Sequence, residues 1–249
     1  MAGSSALSGF SLLFSGAARP DPAALTHLLQ VDPQAARTFA ISYYPDPSEG
    51  WLELLSHGLT YELGGLAPAP GGEAPEVVHC YGFAPQAPVP QGEWIGLMPG
   101  RHLSGGQNLQ PVVRSMAAIV LSLLALEGVR GVSWGPARTL LAPDYVRRAF
   151  GAWLEGGAFP ALGLTALARD DSGAMLSEGL SFFTGQEVRI DPILAENPVA
   201  AGKIAIRLIH SLVGGWEVKT PVEITGPQGE RLGVAPAANG RVLQVWRAH

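Results

Sequence analysis

The segment 170–190 constrains the fold more than any other stretch of the chain. A polar Asp-Asp-Ser-Gly turn opens it, and a glycine, two adjacent aromatic residues and a second glycine follow before a strand-like end. Glycine tolerates backbone angles that other residues avoid, and large aromatic side chains gain stability from burial. We therefore predict that Gly179 shapes a bend and that Phe182 and Phe183 anchor this bend in the core.

Helix and strand patterns alternate through the rest of the chain. Apolar residues recur at helical spacing in three long segments, 109–127, 143–155 and 198–213. Strand patterns recur in 93–98, 131–134, 162–169, 217–225 and 241–246. Asn108 and Asn197 are candidate helix caps, and the turn at 170–173 predicts a hairpin. This order predicts an α+β fold, in which helices pack on one face of a mainly antiparallel mixed sheet.

A change of composition near residue 90 predicts a domain boundary. The segment 84–92 holds three prolines and no hydrophobic pattern. Residues 1–92 carry two basic and eight acidic residues, whereas the remainder carries fourteen and thirteen. We therefore predict a smaller acidic α+β subdomain at 1–90 and a main α+β domain at 91–249. Because Gly58-Leu59 and Gly179-Leu180 both precede strand-like segments, a pair of related α/β subdomains is left open.

Charge and cysteine content restrict the classes of partner and location. The formal net charge is −5, whereas nucleic-acid binding needs a basic face, so we predict no nucleic-acid partner. Cys80 is the only cysteine, which excludes an intramolecular disulfide and favours a cytoplasmic location. The longest uncharged apolar run, 115–126, is shorter than the roughly 20 residues of a membrane span. The oligomeric state is left open.

The common sequence motifs give no basis for assigning a catalytic activity or a cofactor. The chain has no Walker-type phosphate loop and no Gly-x-Gly-x-x-Gly, and we do not expect a serine hydrolase of the usual α/β type. The six histidines are scattered, and His79 and Cys80 are neighbours that face opposite sides of a predicted strand. We expect Cys80 to be a small buried residue. No catalytic residue, metal site or cofactor is predicted.

A short motif in the second half resembles a known family. Ser177-Glu178-Gly179-Leu180-x-x-Phe183, followed by Glu187, resembles the Thr-x-Gly-Leu-x-x-Phe-Gly-x-x-Glu-x-Glu signature of the bacterial domain-of-unknown-function family 4261. The helix at 109–127 leads into Val132-Ser133-Trp134-Gly135, similar to the helix and following Tyr-Trp strand of that family. The segment 229–233 resembles its Gly-x-Thr-Ile-Gly turn.

The resemblance covers about residues 93–247 and implies a fold and a bacterial origin. The family has no established activity, so no function is implied. The sequence departs from the signature where Thr184 stands for a glycine and Arg189 for the last glutamate. In the later turn, Arg231 stands for the threonine of the family.

Two groups of residues are candidates for binding. The first group surrounds the predicted bend and consists of Glu178, Gly179, Phe183 and Glu187. A carboxylate pair supports acid–base chemistry if one member is desolvated, and the sequence leaves open whether Glu178 and Glu187 share a pocket. The second group is a basic stripe on one helix, Lys203, Arg207 and His210. This stripe is either a solvated helix face or an anion- or partner-binding surface.

A well-patterned fold without a recognisable catalytic set favours a non-catalytic cytoplasmic binding or interaction protein. We expect a protein partner of unknown identity, with a role such as an accessory or immunity-type factor in a bacterial antagonism or secretion system. The alternative is an enzyme with an unfamiliar carboxylate site near Gly179–Glu187. A third hypothesis is a structural, oligomer-forming module.

Overall fold

The structure is a computed structural model that describes residues 9–16, 18–103 and 105–248. The chain divides into two units, Met1–Gly157 and Ala158–His249. Each unit combines helices with one mixed, mainly antiparallel sheet. The predicted α+β fold class is therefore confirmed.

The first unit is built on an eight-stranded sheet. Its strands are β1 (Phe10–Phe14), β2 (Ala40–Tyr43), β3 (Trp51–Ser56), β4 (Leu59–Gly64), β5 (His79–Tyr81), β6 (Glu93–Pro99), β7 (Val129–Trp134) and β8 (Thr139–Leu141). Its helices are α1 (Pro22–Val31), α2 (Pro33–Thr38), α3 (Gln110–Leu123) and α4 (Pro143–Leu154). The strand order is β2-β3-β4-β6-β1-β7-β8-β5, and only the β5–β8 pair is parallel.

The boundary between the units differs from the predicted one. Strand β6 lies after residue 90, yet it pairs with β1 on one side and with β4 on the other. A division into 1–90 and 91–249 would cut this sheet, so the predicted boundary is wrong, and the first unit ends in sequence at Gly157. The proline-rich segment 84–92 is a loop within the first unit. Proline breaks regular structure inside a domain as readily as between domains.

Helix α3 forms the centre of the first unit. Buried side chains occur on most of its circumference, as the apolar sequence predicts, and include Val113, Met116 and Val120. The predicted cap is wrong, because Leu109 precedes the helix and makes no side-chain capping bond. Pro111 lies in the first turn, where proline has the helical φ angle and needs no hydrogen-bond acceptor.

The second unit contains a six-stranded sheet with the order β12-β13-β14-β11-β10-β9. Its strands are β9 (Ala166–Arg169), β10 (Met175–Glu178), β11 (Glu187–Ile190), β12 (Val222–Thr225), β13 (Arg231–Pro236) and β14 (Val242–Arg247). Its helices are α5 (Ala161–Leu164), α6 (Leu180–Thr184), α7 (Pro192–Ala195) and α8 (Pro198–Val213). Neighbouring strands are antiparallel except for the parallel pair β11–β14.

Helix α8 supplies one side of the core of the second unit. Asn197 caps it by accepting hydrogen bonds from the N–H groups of Val199 and Ala200, both at 3.1 Å, as predicted. The predicted apolar face is buried in a cluster with residues of β11, β13 and β14, and consists of Ile204, Ala205, Leu208 and Leu212. The helix thereby covers the part of the sheet that these three strands form.

The predicted hairpin at 170–173 is confirmed as the β9–β10 connection. Asp170 Oδ1 accepts hydrogen bonds from the N–H groups of Ser172 and Ala174 at 2.9 and 3.1 Å. The Ser172 hydroxyl also donates to this carboxylate and lowers the pKa of Asp170. Strand β9 begins only at Ala166, because Ala161–Leu164 form a helical turn interrupted by Gly163 at a φ of 129°.

None of the helices in the described ranges combines the length and the apolar character that crossing a bilayer requires.

Candidate functional site

Two glycines in left-handed conformations set the bend after β10. Gly179 has a φ of 85° and Gly185 a φ of 77°, and the short helix α6 lies between them. Residues other than glycine adopt these angles at a cost, so the predicted role of Gly179 is confirmed. The chain turns away from the sheet at the first glycine and returns to it as β11.

Leu180, and neither phenylalanine, anchors this bend in the core. Leu180 is fully buried, whereas Phe182 and Phe183 are both half-buried. The prediction that both aromatic rings are anchored in the core is therefore wrong. Phe182 lies two positions, about 200°, around the helix from Leu180, so the two side chains leave opposite sides of α6. The Phe183 ring instead meets Phe159 and Phe182 edge-on, with centroid distances of 5.2 and 5.1 Å.

Glu187 is bonded to the backbone and side chains of the bend. Its Oε2 accepts from the Ser177 hydroxyl at 2.5 Å, and its Oε1 accepts from the Ser181 N–H at 2.9 Å. The Ser177 hydroxyl oxygen accepts in turn from the Val188 N–H at 2.8 Å. Glu178 is half-buried on the other face of β10 from the buried Ser177. The hydrogen bonds of Glu187 thus hold the two ends of the bend together.

The predicted basic stripe separates into two exposed cations and one half-buried histidine. Lys203 is exposed to solvent, as is Arg207. His210 is half-buried, and its Nε2 lies 3.0 Å from the carbonyl oxygen of Phe159. Because a carbonyl only accepts, this nitrogen carries a proton and donates it. His210 therefore holds the segment before α5 against α8 and is not available as a ligand group in this state.

Arg207 lies at a cavity that the sequence did not predict. The cavity has a volume of about 440 Å³ and lies between the C-terminal half of α8, Trp216 and the β12–β13 hairpin. Most of its lining is apolar and comes from Ile204, Leu208, Trp216, Ile224, Pro227 and Leu232. Small-molecule sites commonly have volumes of roughly 300–1,000 Å³, apolar walls and few polar groups. This cavity has the size and the lining of such a site.

The polar groups of the cavity favour an anionic ligand. Arg207, Ser211 and Thr225 contribute to the lining, and no carboxylate does so among the residues that the structure describes. The Arg207 guanidinium makes no hydrogen bond or ion pair within ranges 9–16, 18–103 and 105–248. An unpaired guanidinium beside an apolar wall is suited to pair with a carboxylate, sulfonate or phosphate.

A second cleft of about 530 Å³ also has Trp216 in its lining. Phe183 lines this cleft, together with Glu217 and Lys219. Lys219 Nζ and Glu217 Oε2 are 2.5 Å apart, and their hydrogen bond raises the pKa of Lys219 and lowers that of Glu217. Because both charges are exposed and paired with each other, the second cleft attracts an anion less than the cavity beside Arg207 does.

Trp216 is the main site residue that the sequence analysis missed. It follows Gly214 and Gly215 directly after α8, where the chain turns with a φ of 98° at Gly215. A large aromatic residue immediately after a glycine pair is the one local signal that marks it. Ile224 and Leu232, which line the cavity with it, lie on separate strands of the β12–β13 hairpin, so the cavity itself has no local signal.

A Gly-x-Ser-x-Gly spacing is present at Gly131-Val132-Ser133-Trp134-Gly135. In a hydrolase elbow the serine lies on a strained turn and is exposed. Ser133 instead lies within β7, is fully buried, and pairs with Ser11 and Leu140 in the sheet. The spacing is therefore present without the structural context that the chemistry needs.

Replacing Ser133 by alanine is expected to raise the free energy of unfolding by about 1 kcal/mol. The hydroxyl of Ser133 has no hydrogen-bond partner in the described parts of the chain, so alanine removes a buried polar group without breaking a bond. Ser115 is the matched control, because it is also buried but donates to Ser56 Oγ at 3.0 Å. Urea unfolding that shows equal losses for Ser133→Ala and Ser115→Ala would contradict this account.

Cys80 lies on the edge strand β5 and is exposed, so the predicted burial of this residue is wrong. Partial burial nevertheless raises the pKa of its thiol, and a protonated thiol is a poor nucleophile. Within the described residues, no three His, Cys, Asp or Glu side chains are grouped to hold a metal ion. These residues give no support for a nucleophilic or metal-dependent site.

The chain matches no protein-family model, no curated protein and no solved structure. The resemblance to family 4261 stays a prediction from the short motif and its neighbours.

Proposed function

We propose that the chain is a binding protein and that the cavity beside Arg207 is its ligand site. The ligand class is an amphipathic anion, with an apolar body and one carboxylate, sulfonate or phosphate group. The observation that carries the proposal is the unpaired guanidinium at a mostly apolar cavity of about 440 Å³. The apolar body packs against Leu208, Trp216 and Ile224, and the charged group pairs with Arg207.

The apolar contact and the charge pairing with Arg207 both contribute free energy of the magnitude that specific binding needs. Apolar area removed from water contributes about 25 cal/mol per Å². A hydrogen bond to a charged group contributes about 1.5–3 kcal/mol. Removal of the guanidinium alone is therefore expected to weaken binding roughly 10- to 100-fold.

The fluorescent anion 1-anilinonaphthalene-8-sulfonate is a suitable probe, because it joins an aromatic body to one sulfonate. Fluorescence titration of the full chain is expected to give saturable binding that Arg207→Gln weakens at least about tenfold. Thr225→Trp is expected to abolish binding, because Thr225 is an exposed residue of the cavity lining and tryptophan would fill the space.

Lys203→Gln is the matched control for the titration. Lys203 lies one helical turn before Arg207, is equally exposed, and does not line the cavity. The uncharged probe N-phenyl-1-naphthylamine is expected to bind wild type and Arg207→Gln alike. Equal weakening of sulfonate binding by Lys203→Gln and Arg207→Gln would refute the site, because it would report only the net charge of the chain.

The wider role of the protein is also a proposal and rests on the sequence. A cytoplasmic location is supported by the single cysteine and a protein partner by the acidic N-terminal part of the chain. A protein partner would supply the amphipathic anion from its own surface, as an apolar side chain next to a carboxylate. Recovery of the tagged protein from its native lysate without a stoichiometric partner would count against the interaction role and would leave the small-ligand site standing.

A further inference from the structure

The first unit contains a cleft lined by basic residues, although the unit as a whole has more acidic than basic residues. The cleft has a volume of about 630 Å³ and is lined by residues of α2, the β3–β4 turn, α3 and the end of α4. Arg37, His57 and Arg114 line it, and no carboxylate does so among the described residues. Residues 1–157 nevertheless hold eight basic and twelve acidic residues. Two of these eight basic residues and one histidine thus line a cleft to which no described carboxylate contributes.

Arg114 is held in a fixed position at the cleft. Its two terminal nitrogens donate to the carbonyl oxygens of Trp153 and Leu154 at 2.9 and 3.0 Å. The guanidinium carbon lies 4.9 Å from the centroid of the Trp153 ring. A guanidinium has five N–H donors, so these two bonds leave donors for a ligand. A charge that is already immobilised loses little entropy on binding.

The β3–β4 turn fixes the position of His57. Ser56 and Leu59 pair across a two-residue connection, in which His57 has a φ of 51° and Gly58 a φ of 78°. Two successive positive φ angles define the type I′ turn that joins antiparallel strands tightly. The imidazole is therefore presented from a rigid hairpin.

The hydrogen bonds around Ser56 determine which nitrogen of His57 faces a ligand. The Ser56 hydroxyl donates its only proton to the Thr38 carbonyl oxygen at 2.7 Å. Its oxygen therefore accepts from the Ser115 hydroxyl and from His57 Nδ1, each at 3.0 Å. Because Nδ1 carries this proton, Nε2 of His57 is left for a ligand, and it accepts a hydrogen bond in the neutral ring and donates one only in the imidazolium.

We propose that this cleft is a second binding site, and that it takes a small organic phosphate monoester. The phosphate pairs with Arg37 and Arg114 and accepts a hydrogen bond from Nε2 of His57 when that ring is an imidazolium, and the organic part packs against the apolar lining residues Leu59 and Leu154. Guanidinium groups match phosphate oxygens in pairs. Two permanent cations suit a dianion better than the single charge of a carboxylate. The Arg37 side chain is exposed and makes no ion pair in the described parts of the chain, so it is available to the ligand.

Phenyl phosphate and benzoate would also fit the cavity beside Arg207, so isothermal titration of the full chain carrying Thr225→Trp, which fills that cavity, tests this site with phenyl phosphate. We expect saturable binding that is tighter than that of inorganic phosphate and of benzoate, and that Arg37→Gln weakens about tenfold or more. His57→Asn is expected to weaken binding several-fold and to leave the fold intact, because Asn-Gly is favoured in a type I′ turn. Arg130→Gln changes an exposed arginine outside the cleft and is expected to have no effect.

Three results would overturn the proposal: no saturable binding of phenyl phosphate, benzoate binding as tightly as phenyl phosphate, or equal effects of Arg37→Gln and Arg130→Gln. Thermal unfolding of each variant establishes that the protein is folded when it is titrated. Arg207→Gln is expected to leave phenyl phosphate binding at this cleft unchanged. The failure of either site is therefore distinguishable from the failure of the other.

Discussion

Replacing Leu180 by alanine is expected to lower the free energy of unfolding of the second unit by about 2–5 kcal/mol. Leu180 is fully buried at the start of α6, in the cluster that includes Val188 and Ile190 of β11 and residues of α8. Removing most of its side chain leaves a cavity that the surrounding core closes only in part. Urea unfolding followed by hydrogen exchange of peptides from 158–248 measures the loss.

Phe183→Leu is the matched comparison for this prediction. Phe183 is half-buried at the rim of the second cleft and contacts Phe159 and Phe182 edge-on. A partly exposed residue that keeps most of its apolar volume is expected to cost less than about 1 kcal/mol. A loss for Phe183→Leu as large as that for Leu180→Ala would restore the sequence-based view that the aromatic pair anchors the bend.

Replacing Glu187 by alanine is expected to lower the free energy of unfolding by about 2–3 kcal/mol. The Ser177 hydroxyl is buried and donates to this carboxylate, so the variant leaves a buried donor without its acceptor. The Ser181 N–H loses its acceptor as well, although Ser181 is exposed and water replaces that bond. The same urea unfolding experiment measures the loss.

A double-mutant cycle with Ser177→Ala isolates the bond between Glu187 and Ser177. The two residues are in contact, so we expect a coupling energy of about 1 kcal/mol or more. Glu187→Gln retains one acceptor oxygen and is expected to lose about half as much stability as Glu187→Ala. An unchanged unfolding free energy for Glu187→Ala would mean that this carboxylate is free for chemistry, as the alternative enzyme hypothesis requires.

Local sequence signals predicted the elements whose determinants are local. The cap at Asn197 and the proline after it fix the start of α8, and the hairpin at Asp170 depends on residues within five positions of each other. The left-handed bend at Gly179 follows from a property of glycine itself. Such features need no knowledge of the tertiary structure.

The features that the sequence analysis missed depend on pairing between distant segments. The boundary at Gly157 follows from the pairing of β6 with β1, about 80 residues earlier in the chain. Strand β8 has only three residues, and β13 includes Gly233, where the Trp246 ring covers the space that a side chain would fill. Neither strand has a clear alternating pattern.

The candidate site was predicted only in part, because it too depends on contacts between separate segments of the chain. Arg207 was identified from its position on a helix, because helical spacing is visible in sequence. Its guanidinium is unpaired and lines a mostly apolar cavity. This cavity depends on Trp216 and on the β12–β13 hairpin, which helical spacing does not reveal. His210 likewise does not share the exposed face of the stripe, because its Nε2 donates to the carbonyl oxygen of Phe159, 51 residues earlier in the chain.

The most direct test of the central claim is an NMR titration of the ¹⁵N-labelled full chain with naphthalene-1-sulfonate. The chain has six tryptophans, and the spectrum of Trp216→Phe assigns the indole N–H signal of Trp216. If the cavity beside Arg207 is the ligand site, this signal shifts in a saturable manner, and Arg207→Gln needs at least about ten times more ligand for the same shift. A Trp216 signal that stays in place while other indole signals shift would contradict the proposed site.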